Sequence, residues 1–120
     1  MTMDLFPTVC GAAGVETKIQ LDGRSILPTL LGRSQARNDR TLIWVRREGG
    51  RRYAGRAFYA VRRGDYKLVQ NSPFEPMQLF NLAEDPKEEQ PLPGKHEMYG
   101  PLSKALQAHL QRSGAVPWQK

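Results

Sequence analysis

The densest chemistry in this sequence is basic. Residues 37–67 hold ten cationic side chains (Arg37, Arg40, Arg46, Arg47, Arg51, Arg52, Arg56, Arg62, Arg63, Lys67) against three acidic ones (Asp39, Glu48, Asp65). Arg46 and Arg47 stand beside Trp44, and Arg62 and Arg63 lie between Tyr59 and Tyr66. Planar guanidinium donors with aromatic neighbours suit sulfate, carboxylate or phosphate, which one guanidinium can hold through two parallel hydrogen bonds. Arg46, Arg47, Arg62 and Arg63 are therefore the candidate anion or substrate contacts. The plainer reading is that they coat the wet face of an antiparallel sheet or face a neighbouring domain. Nucleic acid fits poorly, because neither an RNP-like nor a helix-turn-helix arrangement is visible. Residues 75–97 reverse the charge, with six acidic against two basic side chains.

The other reactive residue types are too scattered to carry a reaction. His96, Glu97 and His109 match no metal-binding spacing. Asp85, Glu88 and Glu89 could pair for acid–base work, but they sit in a charged run around Pro86 and read as turn caps or surface. Gly11 and Gly14 belong to a Gly-Ala-Ala-Gly stretch that has neither the lysine nor the preceding strand of a phosphate loop. Arg63-Gly64-Asp65 spells an adhesion tripeptide, yet a hairpin turn explains Gly64 without it. The single cysteine, Cys10, excludes an internal disulfide and lies in an apolar stretch, where it is expected as a small buried hydrophobe. Neither a catalytic residue nor a metal site is assigned within the chain.

These groups must be carried by a modest scaffold. The 120 residues, with 39% hydrophobic content, 11 Gly, 9 Pro and a formal charge of +6, describe one loop-rich globular piece. No uncharged run approaches the ~18 apolar residues that would cross a bilayer. The first twenty residues show no secretory signal pattern.

The elements follow from the hydrophobic period. Leu5, Val9 and Ala13 share one side of a short helix that Asp4 can cap and Gly14 can stop. A second short helix is expected over 22–31, with Pro28 loosening its first turn so that the helix proper reduces to 25–31, and Gly32 closing it. The period then falls from 3.6 to 2, with strands expected over 41–46, 57–62, 66–70 and 77–82. The apolar run 41–45 suggests a first strand covered on both faces, and residues 63–65 a three-residue hairpin link. A last helix is expected over 101–112, with Pro101 at its first position and Leu102, Leu106 and Leu110 in one stripe. The fold class is α+β: a small four-stranded antiparallel sheet with a C-terminal helix packed on it, preceded by two short helices.

Asp4-Leu5-Phe6-Pro7-Thr8, Ala13-Gly14, Asp22-Gly23-Arg24-Ser25-Ile26-Leu27-Pro28-Thr29-Leu30 and Leu31-Gly32 resemble the stretch that ends the large domain of sulfatases. Arg63-Gly64-Asp65-Tyr66-Lys67-Leu68, Gln78-Leu79-Phe80-Asn81-Leu82 and Glu84-Asp85-Pro86-Lys87-Glu88 resemble the C-terminal subdomain of that family, with arylsulfatases and N-acetylgalactosamine-6-sulfatase-like enzymes nearest in character. The resemblance implies that residues 1–36 match the end of the catalytic domain of an alkaline-phosphatase-like fold and 37–120 its C-terminal subdomain. It also implies that the formylglycine nucleophile, matured within C/S-x-P-x-R, and the calcium ligands lie in a part this sequence does not match. Cys10 is followed by Gly11-Ala12-Ala13-Gly14 and does not fit the nucleophile motif.

The expected function is thus that of a sulfatase C-terminal fragment, structural and cleft-forming, without catalytic residues or cofactors of its own. Loops 48–52 and 71–76 would wall the cleft. Its expected partners are a sulfatase catalytic domain or a second copy of itself, and a sulfated sugar, with no nucleic acid and no membrane. Complete family members are often exported, while this sequence leaves the location open. Two other classes remain: a free-standing anion or sulfated-glycan binding module using the arginines, and a structural protein with no ligand.

Overall fold

The computed structural model describes residues 1–35, 40–47, 57–72 and 74–114. The loop 48–52, part of the loop 71–76, and the side chain of Arg47 fall outside the described residues. The chain divides into two compact units, Met1–Arg37 and Asn38–Lys120.

In the first unit a 3-10 turn, Thr2–Asp4, runs into helix α1, Leu5–Ala12. Gly14 ends the helix in the left-handed region at φ 68°, where a residue with a Cβ is strained, and the Val15 N–H returns to the Cys10 carbonyl at 2.9 Å. Helix α2 is a single turn, Leu27–Leu30, shorter than expected, because the Ser25 hydroxyl takes the Leu27 N–H at 3.2 Å and holds 25–26 in a turn outside the helix.

What holds this unit is polar. Asp4 makes no side-chain cap to α1; its Oδ2 accepts from the Met1 amino group at 2.8 Å, closing the 3-10 turn, and its Oδ1 accepts the Arg24 N–H at 3.0 Å, twenty residues away. Thr8 Oγ1 donates to the Asp4 carbonyl at 2.6 Å and accepts the Ile26 N–H at 3.0 Å. Asp4 and Thr8, 2% and 7% exposed, are the buried residues of the unit, while Leu5, Phe6, Val9, Leu30 and Leu31 are all exposed. Gly23 lies so close to Met3 that a Cβ there would sit 1.8 Å from the Met3 carbonyl oxygen, so only glycine fits. Cys10 is half-buried rather than buried, since α1 turns its apolar residues outward.

The second unit is the expected antiparallel meander, β1 (Leu42–Arg47), β2 (Ala57–Arg63), β3 (Tyr66–Gln70) and β4 (Gln78–Asn81), in sequential order. The β2–β3 link is tighter than expected. Arg63 pairs with Tyr66 across a two-residue turn in which Gly64 takes φ 58°, as the first position of a primed turn demands. Helix α3, Tyr99–Gly114, packs over β2 and β3. It begins two residues before Pro101, with the Leu102 N–H bonded to the Met98 carbonyl at 3.2 Å. Pro101 is tolerated there because the amides of the first turn have no helical acceptor.

One rung of the sheet carries the core. Ile43, Val61, Leu68 and Leu79 face one another across the four strands, and Leu102 and Leu106 of α3 close over Val61, Leu68 and Leu79. Burying each such side chain contributes about 1.5–3 kcal/mol. Among the described residues of this unit no helix packs on the opposite face. Trp44 on this face is exposed, as is Val45 on the other, so β1 is not covered on both faces as its apolar run suggested. Among the described residues no helix is long and apolar enough to cross a membrane.

Candidate functional site

The pleat sends alternate residues to opposite faces, and it divides the candidate arginines whose side chains are described, Arg46, Arg62 and Arg63. Register places Trp44, Ala60, Val69 and Gln78 on one rung of the helix-free face, with Leu42, Arg62, Lys67 and Phe80 on the rung to one side. Arg46 and Phe58 form the next rung on the other side. Arg46 and Arg62 therefore share a face and flank the Trp44 rung. Arg63 belongs to the other face, where its Nε donates to Thr41 Oγ1 at 2.9 Å.

The Arg46 guanidinium lies 5.9 Å from the Phe58 ring centroid, within cation–π range, and Arg62 Nε donates to the Gly64 carbonyl at 2.8 Å. Each contact orients a planar group that carries five N–H donors in a fixed fork.

The face is hollow at its centre because Ala60 offers only a methyl between Trp44 and Val69. An open groove of about 290 Å³ runs over this point, lined by Trp44, Arg46, Phe58, Ala60, Lys67 and Glu88 among others. An adjoining hollow of about 370 Å³ shares Trp44, Ala60, Lys67 and Glu88 and adds Arg62. Trp44, 41% exposed, lines both.

Glu88 reaches this face from the turn after β4, and its Oε1 pairs with Lys67 Nζ at 2.5 Å. Its backbone sits at φ 60°, the one non-glycine in the left-handed region among the described residues, at a cost of about 1–3 kcal/mol. Asp85 holds the turn that imposes this conformation. Its carboxylate accepts the Gln90 N–H at 2.9 Å and the Glu89 N–H at 3.1 Å, and these bonds, that from Gln90 first, draw its pKa below the usual carboxylate value. The Asp85, Glu88 and Glu89 run thus serves as a turn cap and an ion pair.

His96 is engaged locally: its Nδ1 accepts the Met98 N–H at 3.2 Å and its ring lies 5.1 Å from that of Tyr66. His109 lies on α3, its Nε2 3.5 Å from Ser113 Oγ. Among the described residues no group of three or more His, Cys, Asp or Glu comes together in a way that could hold a metal ion. The groove supplies cations, an aromatic face and a carboxylate, but its lining contains no serine, threonine, cysteine or histidine.

Lys67 and Glu88 are not among the anion contacts expected from residue type, and Trp44 figures there only as a neighbour. The period-2 spacing of Trp44 with Arg46, and of Phe58, Ala60 and Arg62, shows which of them share a face. Nothing local points to the Lys67–Glu88 pair, whose members are 21 residues apart.

Residues 1–115 match the family model described as N-sulphoglucosamine sulphohydrolase, C-terminal. A comparison with the curated proteins finds no match. Among solved structures, the chain is similar to a protein assigned as a sulfatase from Bacteroides thetaiotaomicron VPI-5482, at 26% identity and a TM-score of 0.65, over 92% of this chain and 24% of that one. It is similar to a 2-O GAG sulfatase at 26% identity and a TM-score of 0.64, over 93% of this chain and 24% of that one. The phosphonate monoester hydrolase of Agrobacterium radiobacter, 24% identical with a TM-score of 0.54 over 94% and 25% of the two chains, shares the fold. The chain spans about a quarter of the length of these structures.

Proposed function

Because the chain belongs to the N-sulphoglucosamine sulphohydrolase C-terminal family, we propose that it acts as the C-terminal part of a sulfuric ester hydrolase. In this reading it braces and helps wall a catalytic part that other residues supply, and it contributes no nucleophile or metal centre of its own. The observation that carries this reading is the inverted packing of residues 1–35, which bury Asp4 and Thr8 and turn Leu5, Phe6, Val9, Leu30 and Leu31 outward. Apolar side chains on so small a polar-centred unit are stabilised only when another surface covers them. Arg24 supports it as well, since its Nε is buried without a hydrogen-bond partner among the described residues, a state that costs about 1–3 kcal/mol until an acceptor arrives.

Ester hydrolysis of this kind needs an activated nucleophile. In the family resemblance that nucleophile lies in a motif that Cys10 and its neighbours do not match. The purified chain, supplied with calcium, is expected to show no turnover of 4-nitrophenyl sulfate. Turnover that survives repurification and disappears on a substitution inside this chain would overturn the proposal.

A second reading adds contact with a sulfated sugar. It is favoured by Arg46 and Arg62 sharing the face that carries the groove, and by similarity to a 2-O GAG sulfatase. Such contact is largely electrostatic on an exposed face, so binding of a sulfated glycan should weaken steeply from low to physiological salt.

A further inference from the structure

We infer that the groove on the helix-free face is a subsite for a single anionic sugar unit, its ring laid on Trp44 and its acidic substituent met by Arg46 on one side or by Arg62 on the other. The inference deepens the sulfated-sugar reading above and rests on it. Three features select a sugar over a bare anion or an extended polyanion. The first is an indole standing exposed on the edge strand β1, with the methyl of Ala60 on β2 beside it, so that a flat apolar ring face has both a platform and room. Aromatic platforms hold the C–H faces of pyranose rings, while an inorganic anion gains nothing from them. The second is the flanking of that indole by guanidinium groups on both adjoining rungs, each oriented by a contact of its own. A sulfate or carboxylate projecting from a ring on Trp44 meets planar donors in either direction.

The third feature is Glu88. A site built only for polyanions would not bring a carboxylate into its wall, least of all from a strained backbone. Paired with Lys67, it presents an acceptor beside a donor, which is the combination that a sugar hydroxyl, itself both donor and acceptor, can use. The two hollows, about 290 and 370 Å³, are near the lower end of ligand-sized pockets, which suits one sugar unit rather than a chain of them.

The test uses the full chain carrying Trp118→Phe, so that Trp44 is the sole indole. Its fluorescence is titrated with a heparin-type sulfated disaccharide, with the same disaccharide desulfated, and with inorganic sulfate. The sulfated disaccharide is expected to change the Trp44 emission saturably, with the other two binding at least tenfold more weakly. In parallel, amide shifts of β2 and β3 report binding to Trp44→Phe, which keeps a ring, and to Trp44→Leu, which does not. Thermal melts confirm that both variants fold. Trp44→Phe should retain affinity within about threefold, and Trp44→Leu should lose tenfold or more. Glu88→Gln should weaken the sulfated disaccharide while leaving the weak response to inorganic sulfate unchanged or stronger.

Equal affinity for inorganic sulfate and the disaccharide, or no response of Trp44 to any of the three, overturns the subsite. If Trp44→Leu binds as well as the parent but salt still abolishes binding, the subsite falls and the broader sulfated-sugar contact stands. Aryl sulfate turnover by the chain alone would sink the non-catalytic reading and leave the groove result untouched.

Discussion

The two units of this chain solve the problem of burial in opposite ways. Asn38–Lys120 buries Val61, Leu68, Leu79, Leu102 and Leu106 between sheet and helix, and none of its described charged side chains is buried. Met1–Arg37 buries a carboxylate and a hydroxyl, while Leu5, Val9 and Leu30 remain 58%, 65% and 66% exposed. The difference separates two tasks that an isolated domain combines. Hydrogen bonds from Asp4 and Thr8 fix the shape of the first unit, but they exchange protein partners for water and return only about 0.5–1.5 kcal/mol each. Apolar burial, at about 1.5–3 kcal/mol per side chain, is the larger reserve, and in the first unit it is still available to a partner surface.

The contrast can be broken most forcefully at the sheet. Leu68→Ala removes the centre of the core rung and should cost about 2–5 kcal/mol in denaturant unfolding followed through the strands. A cost below about 1 kcal/mol would mean that the second unit does not depend on this core. In the first unit the equivalent change is polar: Thr8→Val keeps the shape of the side chain but leaves the Ile26 N–H without its acceptor. About 1–3 kcal/mol of local protection should be lost, read as faster hydrogen exchange at Ile26 and its neighbours. Exchange there as slow as in the parent would show that the hydroxyl does not hold the unit.

The smallest expected effect is a pH response of the acidic turn. Asp85 has its folded pKa lowered by the Gln90 and Glu89 amides, so its contribution is fully present above the unfolded value of about 3.9 and is lost as pH falls through the lower, folded value. Amide shifts of Glu89 and Gln90 should move below about pH 4, and Asp85→Ala should abolish that titration while the sheet stays folded. A turn whose amides titrate unchanged in Asp85→Ala would assign the shift to another group.

Much of the second unit is legible in its sequence because period 2 over 57–62 and 66–70 leaves few alternatives, and Gly64 marks the hairpin between them. The spacing of Leu102, Leu106 and Leu110 likewise locates α3. Its start is harder to read because Pro101 satisfies the rule for a first helical position, yet it is equally compatible with a later place in the first turn. The open face of β1 escapes the sequence for a different reason. Leu42, Ile43, Trp44 and Val45 are all apolar, and hydrophobicity alone does not say that Trp44 stays exposed.

The candidate site is legible in part. Arg46 and Arg62 are found by type, but treating neighbours Arg62 and Arg63 as one cluster ignores the pleat that separates them. Lys67–Glu88 depends on a turn shape set by Asp85 and on a backbone conformation that a glutamate seldom adopts, neither of which has a sequence signature. In the first unit Asp4 looks like a helix cap because caps are local. Its long-range bond, to the Arg24 amide, depends on a chain reversal that only Gly23 permits.

The central claim, that the first unit presents an apolar surface intended for a partner, is tested most directly by sedimentation and hydrogen exchange on the same micromolar sample. Concentration-dependent association is expected, reduced by Leu5→Glu with Val9→Glu, together with amides in 1–35 that exchange faster in the dissociated chain than those of β2 and β3. A monomer at every concentration whose first 35 amides are as protected as those of β2 and β3 would contradict it.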